Sequence, residues 1–391
     1  MRILIVLTYF QPHKSGLTVY AIRQARALVS LGHEVTVLTS QYDRSLPQEE
    51  WDQGVRIIRL PVAFHLSKGV IMPSMPFKAF QLIGDSDVVN LHVPQVDAAL
   101  VALLAKIRRK PVVLTYHCDL KMPEGVINQL AGKAAHLANR ISATLSDVIV
   151  HNTRDFAEHS TFLQGYLDKL KVIQPPIMIA PTSEESIVAF REKYGINKEQ
   201  QIVGMVARLA TEKGVEYLVQ AMPMVLTAQP EARTVFVGEY ENVFGEEAYK
   251  QKLLPMIHQL GTHWTFLGVV SEMEKAVFYE VCDVLVLPSI NSTESFGMVQ
   301  VEAMISGTRV IASDLPGVRQ PVQNCGLGQT VPPGDVQALA RAIIEELSSK
   351  KRVPVEKISD LRRYYSPLTV AKAYEDLYQQ LLRANGQQKS G

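Results

Sequence analysis

The chain has 391 residues, too many for one ordinary hydrophobic core, which predicts two domains. With 47% hydrophobic and 20% charged residues it is typical of a globular protein, and a disordered chain is excluded. Its 40 basic and 39 acidic residues nearly cancel, so the net charge gives no reason to expect a nucleic-acid partner.

The cysteines and the apolar runs bear on the compartment. Cys118, Cys282 and Cys325 lie far apart and form no CxxC or Cys/His motif, which favours a reducing cytoplasm. The N-terminal run MRILIVLTYF has the length of a strand and lacks a small-residue cleavage site, so a secretory signal is not expected. No window approaches the roughly 20 apolar residues of a membrane span. We therefore expect a cytoplasmic protein that does not cross a bilayer.

Short apolar runs alternate with helical periodicity through the first half of the chain. Residues 3–7 predict a strand, residues 18–31 a helix, and residues 34–39 the next strand of a βαβ unit. Further strands are predicted at 56–60, 87–92, 111–117 and 147–151. This alternation indicates a doubly wound parallel sheet.

The alternation breaks in the proline-rich segment KVIQPPIMIAPTSEES, which predicts a boundary between domains 1–178 and 179–365. A second α/β domain follows, with strands predicted at 202–207, 234–238, 265–270, 284–288 and 309–313. In the last segment, 366–391, apolar residues three and four apart predict an amphipathic helix. Two such sheets are expected to face each other across a cleft, with ligands at the carboxyl ends of the strands.

The segment ESFGMVQVEA places two acids in an apolar stretch after a predicted strand. A helix starting near Phe296 or Gly297 would offer free amide groups to phosphate oxygens. If helical geometry held throughout, Glu302 would lie about 12 Å from Glu294, the span from a sugar to a ribose across a diphosphate. Alternatively Glu294 caps the helix and Glu302 lies on a solvated face, which is the favoured interpretation for either acid alone. The candidate donor-binding residues here are Glu294, Ser295, Phe296, Gly297, Met298, Val299 and Glu302.

A pair of cations follows another predicted strand. VARLATEKG places Arg208 just beyond that strand and Lys213 just before a new helix, where its charge opposes the helix dipole. Two cations at a strand's carboxyl end suit a diphosphate and a departing nucleotide. Each taken separately is a commonplace surface residue.

Three residues of the first domain are candidates on position alone. Ser15 and Gly16 lie between the first strand and its helix, where the alternatives are a simple turn and an amide contact to a donor phosphate. GxGxxG is absent, so a dinucleotide fingerprint is not supported. A lone histidine is more often structural, but His117 ends a predicted strand, and this position strengthens the alternative of contact with a sugar hydroxyl or the acceptor.

Together these motifs resemble those of a retaining glycosyltransferase of family 4 with the GT-B fold. The resemblance spans GHEVTVLT, TYH, VARL with EKG, and PSINSTESFGMVQVEAM. It implies that Glu294 contacts the transferred sugar, Glu302 the ribose, and the two cations the diphosphate. It also implies that His117 contacts the sugar or acceptor and that the last helix returns to the first domain. Two positions depart from the family pattern, Ser15 in place of a glycine and Cys118 in place of a frequent acid.

The expected chemistry is metal-free transfer of a sugar from a UDP- or GDP-sugar to a hydroxyl acceptor such as a lipid or lipid-linked glycan. The nucleotide sugar is a co-substrate and no cofactor is expected. Contacts to the base are expected from backbone groups near Gly268 to Val270. Open alternatives are a nucleotide-sugar-binding protein without transfer activity, a nucleotide-sugar epimerase, and a phosphorylase, which needs pyridoxal.

The acceptor side shows one further pattern. Residues 61–80 interleave aromatic residues with Lys68 and Lys78, and KIRRK at 106–110 adds a positive run. Such a surface is compatible with peripheral binding to an anionic inner membrane face. Ordinary packing of the first segment and a solvated helix end for the second are the favoured alternatives.

Overall fold

The computed structural model describes residues 1–66, 69–119 and 126–387. The chain forms two compact units. The first runs from Met1 to Pro176 and takes up the chain again at Tyr365, and the second runs from Ile177 to Tyr364.

The first unit is an α/β sandwich around an eight-stranded sheet of order β10-β9-β8-β7-β1-β2-β4-β3. Every strand pair in it is parallel except β3 with β4, and β5 and β6 form a separate antiparallel hairpin. Its strands are β1 (Arg2–Val6), β2 (Glu34–Gln41), β3 (Glu49–Asp52), β4 (Val55–Pro61), β5 (Phe64–Leu66), β6 (Gly69–Ile71), β7 (Val88–Val93), β8 (Val112–Tyr116), β9 (Val148–His151) and β10 (Leu170–Val172). The helices before residue 176 are α1 (Gly16–Ser30), α2 (Met75–Asp85), α3 (Ala98–Ile107), α4 (Val126–Leu145) and α5 (Arg154–His159).

The second unit contains an all-parallel sheet of order β13-β12-β11-β14-β15-β16. Its strands are β11 (Gln201–Val206), β12 (Ala232–Val237), β13 (Trp264–Gly268), β14 (Val284–Leu287), β15 (Arg309–Ser313) and β16 (Gly328–Val331). Its helices are α6 (Glu184–Lys193), α7 (Val215–Ala228), α8 (Glu247–Gln259), α9 (Glu272–Val281), α10 (Met298–Ile305), α11 (Arg319–Cys325), α12 (Val336–Ser349) and α13 (Val355–Tyr364).

The predicted α/β class with parallel sheets is confirmed. Central strands such as β7 are buried along their whole length, because helices cover both faces of a parallel sheet. Among the parallel strands of each sheet the order reverses once, between β1 and β7 in the first sheet and between β11 and β14 in the second. Such switch points open a crevice at the carboxyl ends of the adjacent strands, where ligands bind in sheets of this kind.

The last helix, α14 (Pro367–Gln387), belongs to the first unit, as the family resemblance implied. It packs on α1, where the Tyr374 and Tyr20 hydroxyls are 2.9 Å apart in a buried contact. Asn90 Nδ2 donates to the Tyr378 hydroxyl at 3.0 Å. None of the helices in the described ranges combines the length and apolar character needed to span a bilayer.

Candidate functional site

The loops that follow β11 and β14 lie side by side at the switch point of the second unit. Gly214 has φ 64°, and a Cβ atom there would lie 2.0 Å from the Pro288 carbonyl oxygen, so only glycine permits this approach. The Ile290 amide donates to the Glu212 carbonyl at 3.1 Å, which joins the two loops. The sequence EKG therefore places Lys213 directly beside the loop that carries Glu294.

Lys213 and Glu294 form an ion pair. Lys213 Nζ lies 2.7 Å from Glu294 Oε2, and the side chains are only 19% and 16% exposed. Arg208 lies at the same edge but is 45% exposed and contacts Glu212 at 3.1 Å. The two cations thus differ: Lys213 is held by a partly buried acid, whereas Arg208 reaches into solvent.

Gly297 sets the start of α10. Its backbone is left-handed, with φ 75° and ψ 70°, and a Cβ atom there would lie 2.4 Å from Leu287 Cδ2. The helix begins at Met298 with no side-chain cap, so the interpretation of Glu294 as a helix cap is wrong. Because Glu294 precedes the helix, the 12 Å helical separation does not apply. The amides of Met298 and Val299 in the first turn have no acceptor within the helix.

Glu302 is buried, so its placement on a solvated face is wrong. Its carboxylate is 3% exposed, accepts a hydrogen bond from the Tyr279 hydroxyl at 2.8 Å, and lies 3.6 Å from Lys275 Nζ. The sequence analysis missed both partners. Their spacing was the available signal, since residues four apart share one face of α9.

The other predicted donor residues flank this region. Ser295 and Phe296 are buried ahead of the turn at Gly297. Val270 is half-buried after β13, which is separated from β11 by one strand. Because the strands are parallel, Val270 lies at the same edge of the sheet as the loops after β11 and β14. Its contact with a base stays a prediction.

In the first unit, Ser15 caps α1. Its hydroxyl oxygen accepts a hydrogen bond from the Thr18 amide at 3.1 Å, the ordinary geometry of a strand-to-helix turn. Gly16 is the first residue of the helix and is not among the glycines with positive φ. The loop lies at the switch point beside β1, so its position is compatible with the predicted role, while Ser15 has a structural role of its own.

His117 directly follows β8, is half-buried, and pairs with the fully buried His92. Its Nε2 lies 2.9 Å from Nδ1 of His92, at the end of neighbouring β7, and the Tyr20 ring meets it edge-on at 5.0 Å. Burial, and then the neighbouring His92 and His151, hold the pKa of His117 well below its usual value. Burial lowers the pKa of His92 to about 3. Two neutral imidazoles in this contact require one nitrogen to donate and the other to accept. The sequence analysis missed His92, which VNLHVP places at a strand end.

Within the described residues, no three His, Cys, Asp or Glu side chains are grouped so that they could hold a metal ion. Metal independence stays a prediction.

Two family models match the chain. The "Glycosyl transferase 4-like domain" model matches residues 15–176 and the "Glycosyl transferases group 1" model matches residues 186–363. An uncharacterized glycosyltransferase of Methanocaldococcus jannaschii is 28% identical over 394 residues, covering 97% of this chain and 98% of the relative. A phosphatidyl-myo-inositol mannosyltransferase of Mycolicibacterium smegmatis is 25% identical over 352 residues, covering 88% of this chain and 84% of the relative.

Among solved structures, HepE of Anabaena in complex with UDP matches with a TM-score of 0.76 at 22% identity, covering 97% of this chain and all of that one. At this identity the likeness shows the fold. The two family models together span most of the chain and include the segments that carry Arg208, Lys213, Glu294 and Glu302. The chain belongs to the glycosyl transferases group 1 family, of the family 4 type, and has the fold of GT-B glycosyltransferases.

Proposed function

We propose that this protein transfers a sugar from a nucleoside diphosphate sugar to a hydroxyl acceptor, with retention of configuration. The observation that carries the proposal is the Lys213–Glu294 ion pair beside the uncapped start of α10. It places a cation, a carboxylate and free amides within one loop pair at the switch point. The cation and the free amides suit a diphosphate, and the carboxylate suits a sugar hydroxyl.

Each group has a role in the proposed reaction. The amides of Met298 and Val299, with Arg208 and Lys213, stabilise the negative charge that develops on the leaving diphosphate. Glu294 accepts hydrogen bonds from hydroxyls of the transferred sugar, and Glu302 from the ribose. The bond from the anomeric carbon to the phosphate oxygen breaks as the bond to the acceptor oxygen forms on the same face. The acceptor proton passes to the leaving phosphate oxygen.

The test compares Arg208→Ala with Lys252→Ala, a substitution on the exposed face of α8. Arg208 is half-exposed, so its removal is expected to change stability by less than about 0.5 kcal/mol. Transfer from UDP- and GDP-sugars should fall roughly 10²- to 10³-fold in Arg208→Ala and stay unchanged in Lys252→Ala. Equal turnover in the two variants contradicts the assignment. If the donor is consumed without an acceptor and no glycoside is formed, an epimerase is favoured. If the nucleotide binds but no donor is turned over, a binding protein without transfer activity is favoured.

For the acceptor we propose a lipid or lipid-linked glycan at the surface of an anionic membrane. The name of the M. smegmatis relative points to a lipid acceptor in that protein. In this chain, Phe77 on α2 is 82% exposed, and Phe64 and Ile107 are also exposed. Met72, in contrast, is packed in the core, and Lys68 lies outside the described residues.

The positive run at 106–110 contributes only part of its charge to this surface. Lys106 pairs with Asp147 at 2.5 Å, and Lys110 donates to the Ser86 carbonyl. Arg108 lies over the Phe80 ring at 3.8 Å, and Arg109 is exposed. The proposed membrane surface therefore consists of α2 and the end of α3, where Phe77 supplies apolar area and Lys78, Arg108 and Arg109 supply charge.

A further inference from the structure

A small cavity lies at the carboxyl end of β8, formed by residues from three parts of the first unit. It has a volume of about 60 Å³, several times the ~10–15 Å³ that one water molecule requires. Its walls come from the end of β8, from one stripe of α4 at spacings of four and three, and from the segment after α5. The lining residues are Tyr116, Asp119, Gly132, His136, Asn139, Thr161 and Phe162.

Two hydrogen-bond acceptors at this cavity have unused capacity. Asn139 is only 4% exposed, and its buried Oδ1 receives no hydrogen bond from any described residue. Asp119 Oδ1 accepts from the Tyr116 hydroxyl at 2.9 Å and from the Ser160 hydroxyl at 2.7 Å. A carboxylate has about four acceptor positions, so Asp119 keeps capacity for a further donor. A buried acceptor without a donor is costly, so a cavity at this position is suited to a ligand that donates.

The lining also limits the chemistry of that ligand. A carboxylate is present and no lysine or arginine is among the lining residues, which disfavours a phosphate. Phe162 stacks on Tyr116 at 4.9 Å between ring centroids, so one wall is aromatic and flat. Burial raises the pKa of Tyr116, which keeps its hydroxyl a donor to Asp119. The cavity is therefore fitted to neutral hydroxyl donors on a compact ring edge.

We propose that this cavity binds two hydroxyls of a neutral polyol ring, sugar or cyclitol, that belongs to the acceptor. Asp119 Oδ2 and Asn139 Oδ1 each accept one hydroxyl proton, and the ring edge lies against Phe162. This inference rests on the proposed function, because it assigns the site to the acceptor of that transfer. It makes Asp119 and Asn139 binding residues for the acceptor.

Saturation-transfer NMR on the full chain tests the cavity without turnover, with myo-inositol and methyl α-glucopyranoside as probes and inorganic phosphate as the competitor. Wild-type protein should saturate the ring protons of at least one polyol, and phosphate should not compete. Asn139→Leu keeps the branching and the number of heavy atoms in the side chain and removes the amide, and should weaken polyol binding about tenfold. Its melting temperature should be equal or higher, because a buried amide oxygen without a donor among the described residues is removed. Asp119→Asn, which keeps the shape, should also weaken binding.

The matched control is Ser142→Ala on the same helix, where the buried hydroxyl donates to the Ala138 carbonyl. It removes a buried polar group and should leave polyol binding unchanged. No polyol signal in the wild type, unchanged signals in both Asn139→Leu and Asp119→Asn, or displacement by phosphate would each overturn the inference. Nucleotide binding, measured separately by thermal shift with UDP and GDP, reports on the donor site. If neither UDP nor GDP binds while the polyol still does, the result contradicts the proposed donor and leaves the polyol site standing.

Discussion

Lys213 and Glu294 hold each other in place before any donor binds. Each side chain is more than four-fifths buried. Either charge without its partner would destabilise the fold, since an isolated buried charge is costly. The pair therefore orients a cation and a carboxylate at the loop where the proposed donor sits. In the proposed reaction, donor binding would exchange this ion pair for contacts to phosphate and sugar, and part of the binding energy would offset the loss of the pair.

Adding a methyl group at Gly297 should strongly lower the stability of the second unit. In Gly297→Ala the new Cβ would lie 2.4 Å from Leu287 Cδ2 and 2.7 Å from Gln300 Nε2, in a left-handed backbone. We expect the free energy of unfolding of the second unit to fall by about 2–5 kcal/mol, from backbone strain plus overpacking. Urea denaturation of the variant and the wild type measures this loss.

Gly326→Ala is the control for backbone strain alone. Gly326 has φ 65°, yet a Cβ atom there would meet nothing within 4 Å. Gly326→Ala should lower the free energy of unfolding by only about 1–2 kcal/mol, the penalty of the left-handed conformation. Equal losses in the two variants would mean that close packing around Gly297 does not fix the start of α10.

At the scale of elements, α2 and the end of α3 form the proposed membrane surface. Phe77→Ser removes its most exposed aromatic ring, and flotation with vesicles of phosphatidylglycerol and phosphatidylcholine should show weaker binding at low salt. Binding should also decrease as salt rises, because exposed cations contribute. Phe244→Ser, at a phenylalanine of the second unit that is 73% exposed, should bind like the wild type. No wild-type binding at low salt would remove the membrane proposal.

The helix α14 is tied to the first unit by buried hydroxyls. Tyr378 accepts from Asn90 at 3.0 Å and from Gln24 at 3.5 Å. Tyr378→Phe leaves both amide donors without an acceptor, so the free energy of unfolding should fall by about 1–3 kcal/mol. Tyr240→Phe, at a partly exposed ring stacked on Phe266, is the comparison and should change it by less than about 0.5 kcal/mol. Indistinguishable denaturation midpoints would show that the hydroxyl contributes nothing to docking.

For the molecule as a whole, the buried histidines predict how stability depends on pH. Burial lowers the pKa of His92 to about 3 and that of His151 to about 4, below the usual value near 6.5. Their unfolded forms therefore bind protons first as the pH falls. Stability should decrease by about 1.4 kcal/mol per pH unit for each group from pH 6.5 down towards its folded pKa. Burial raises the pKa of Asp97 to about 6. Below that pH its folded form binds a proton before its unfolded form does, so Asp97 increases stability as the pH falls.

Urea denaturation of His151→Asn between pH 7.5 and 5 isolates one histidine from the others. The Nδ1 of His151 lies 3.1 Å from the Thr153 amide nitrogen and 3.0 Å from the Thr153 carbonyl oxygen, and burial is what lowers the pKa of this ring to about 4. The variant should be less stable at pH 7.5 but lose less stability on acidification. His258→Asn, at an exposed position on α8, should keep the wild-type slope. If the stability of His151→Asn changes with pH as steeply as that of the wild type, His151 does not contribute to the loss of stability in acid.

Periodicity and turn chemistry predicted the central strands of both sheets. Alternating apolar runs and helices identified the parallel sheets, because both signals are local and a buried parallel strand is apolar throughout. Five short strands were missed: β3, β5, β6, β10 and β16. The sequence EEWD of β3 is short and charged, and its strand character comes from pairing with β4 at the edge of the sheet.

The sequence by itself determined the family, the fold class and the identity of the candidate donor residues, since motifs such as EKG and ESFGMVQVEA are local. Only the tertiary structure decided which charges meet. Lys213 and Glu294 are 81 residues apart, and Glu302 finds Tyr279 on another helix. The same holds for His92 beside His117 and for the unpaired Asn139 at its cavity. Burial and long-range contact are properties of packing, and no local pattern along one chain records them.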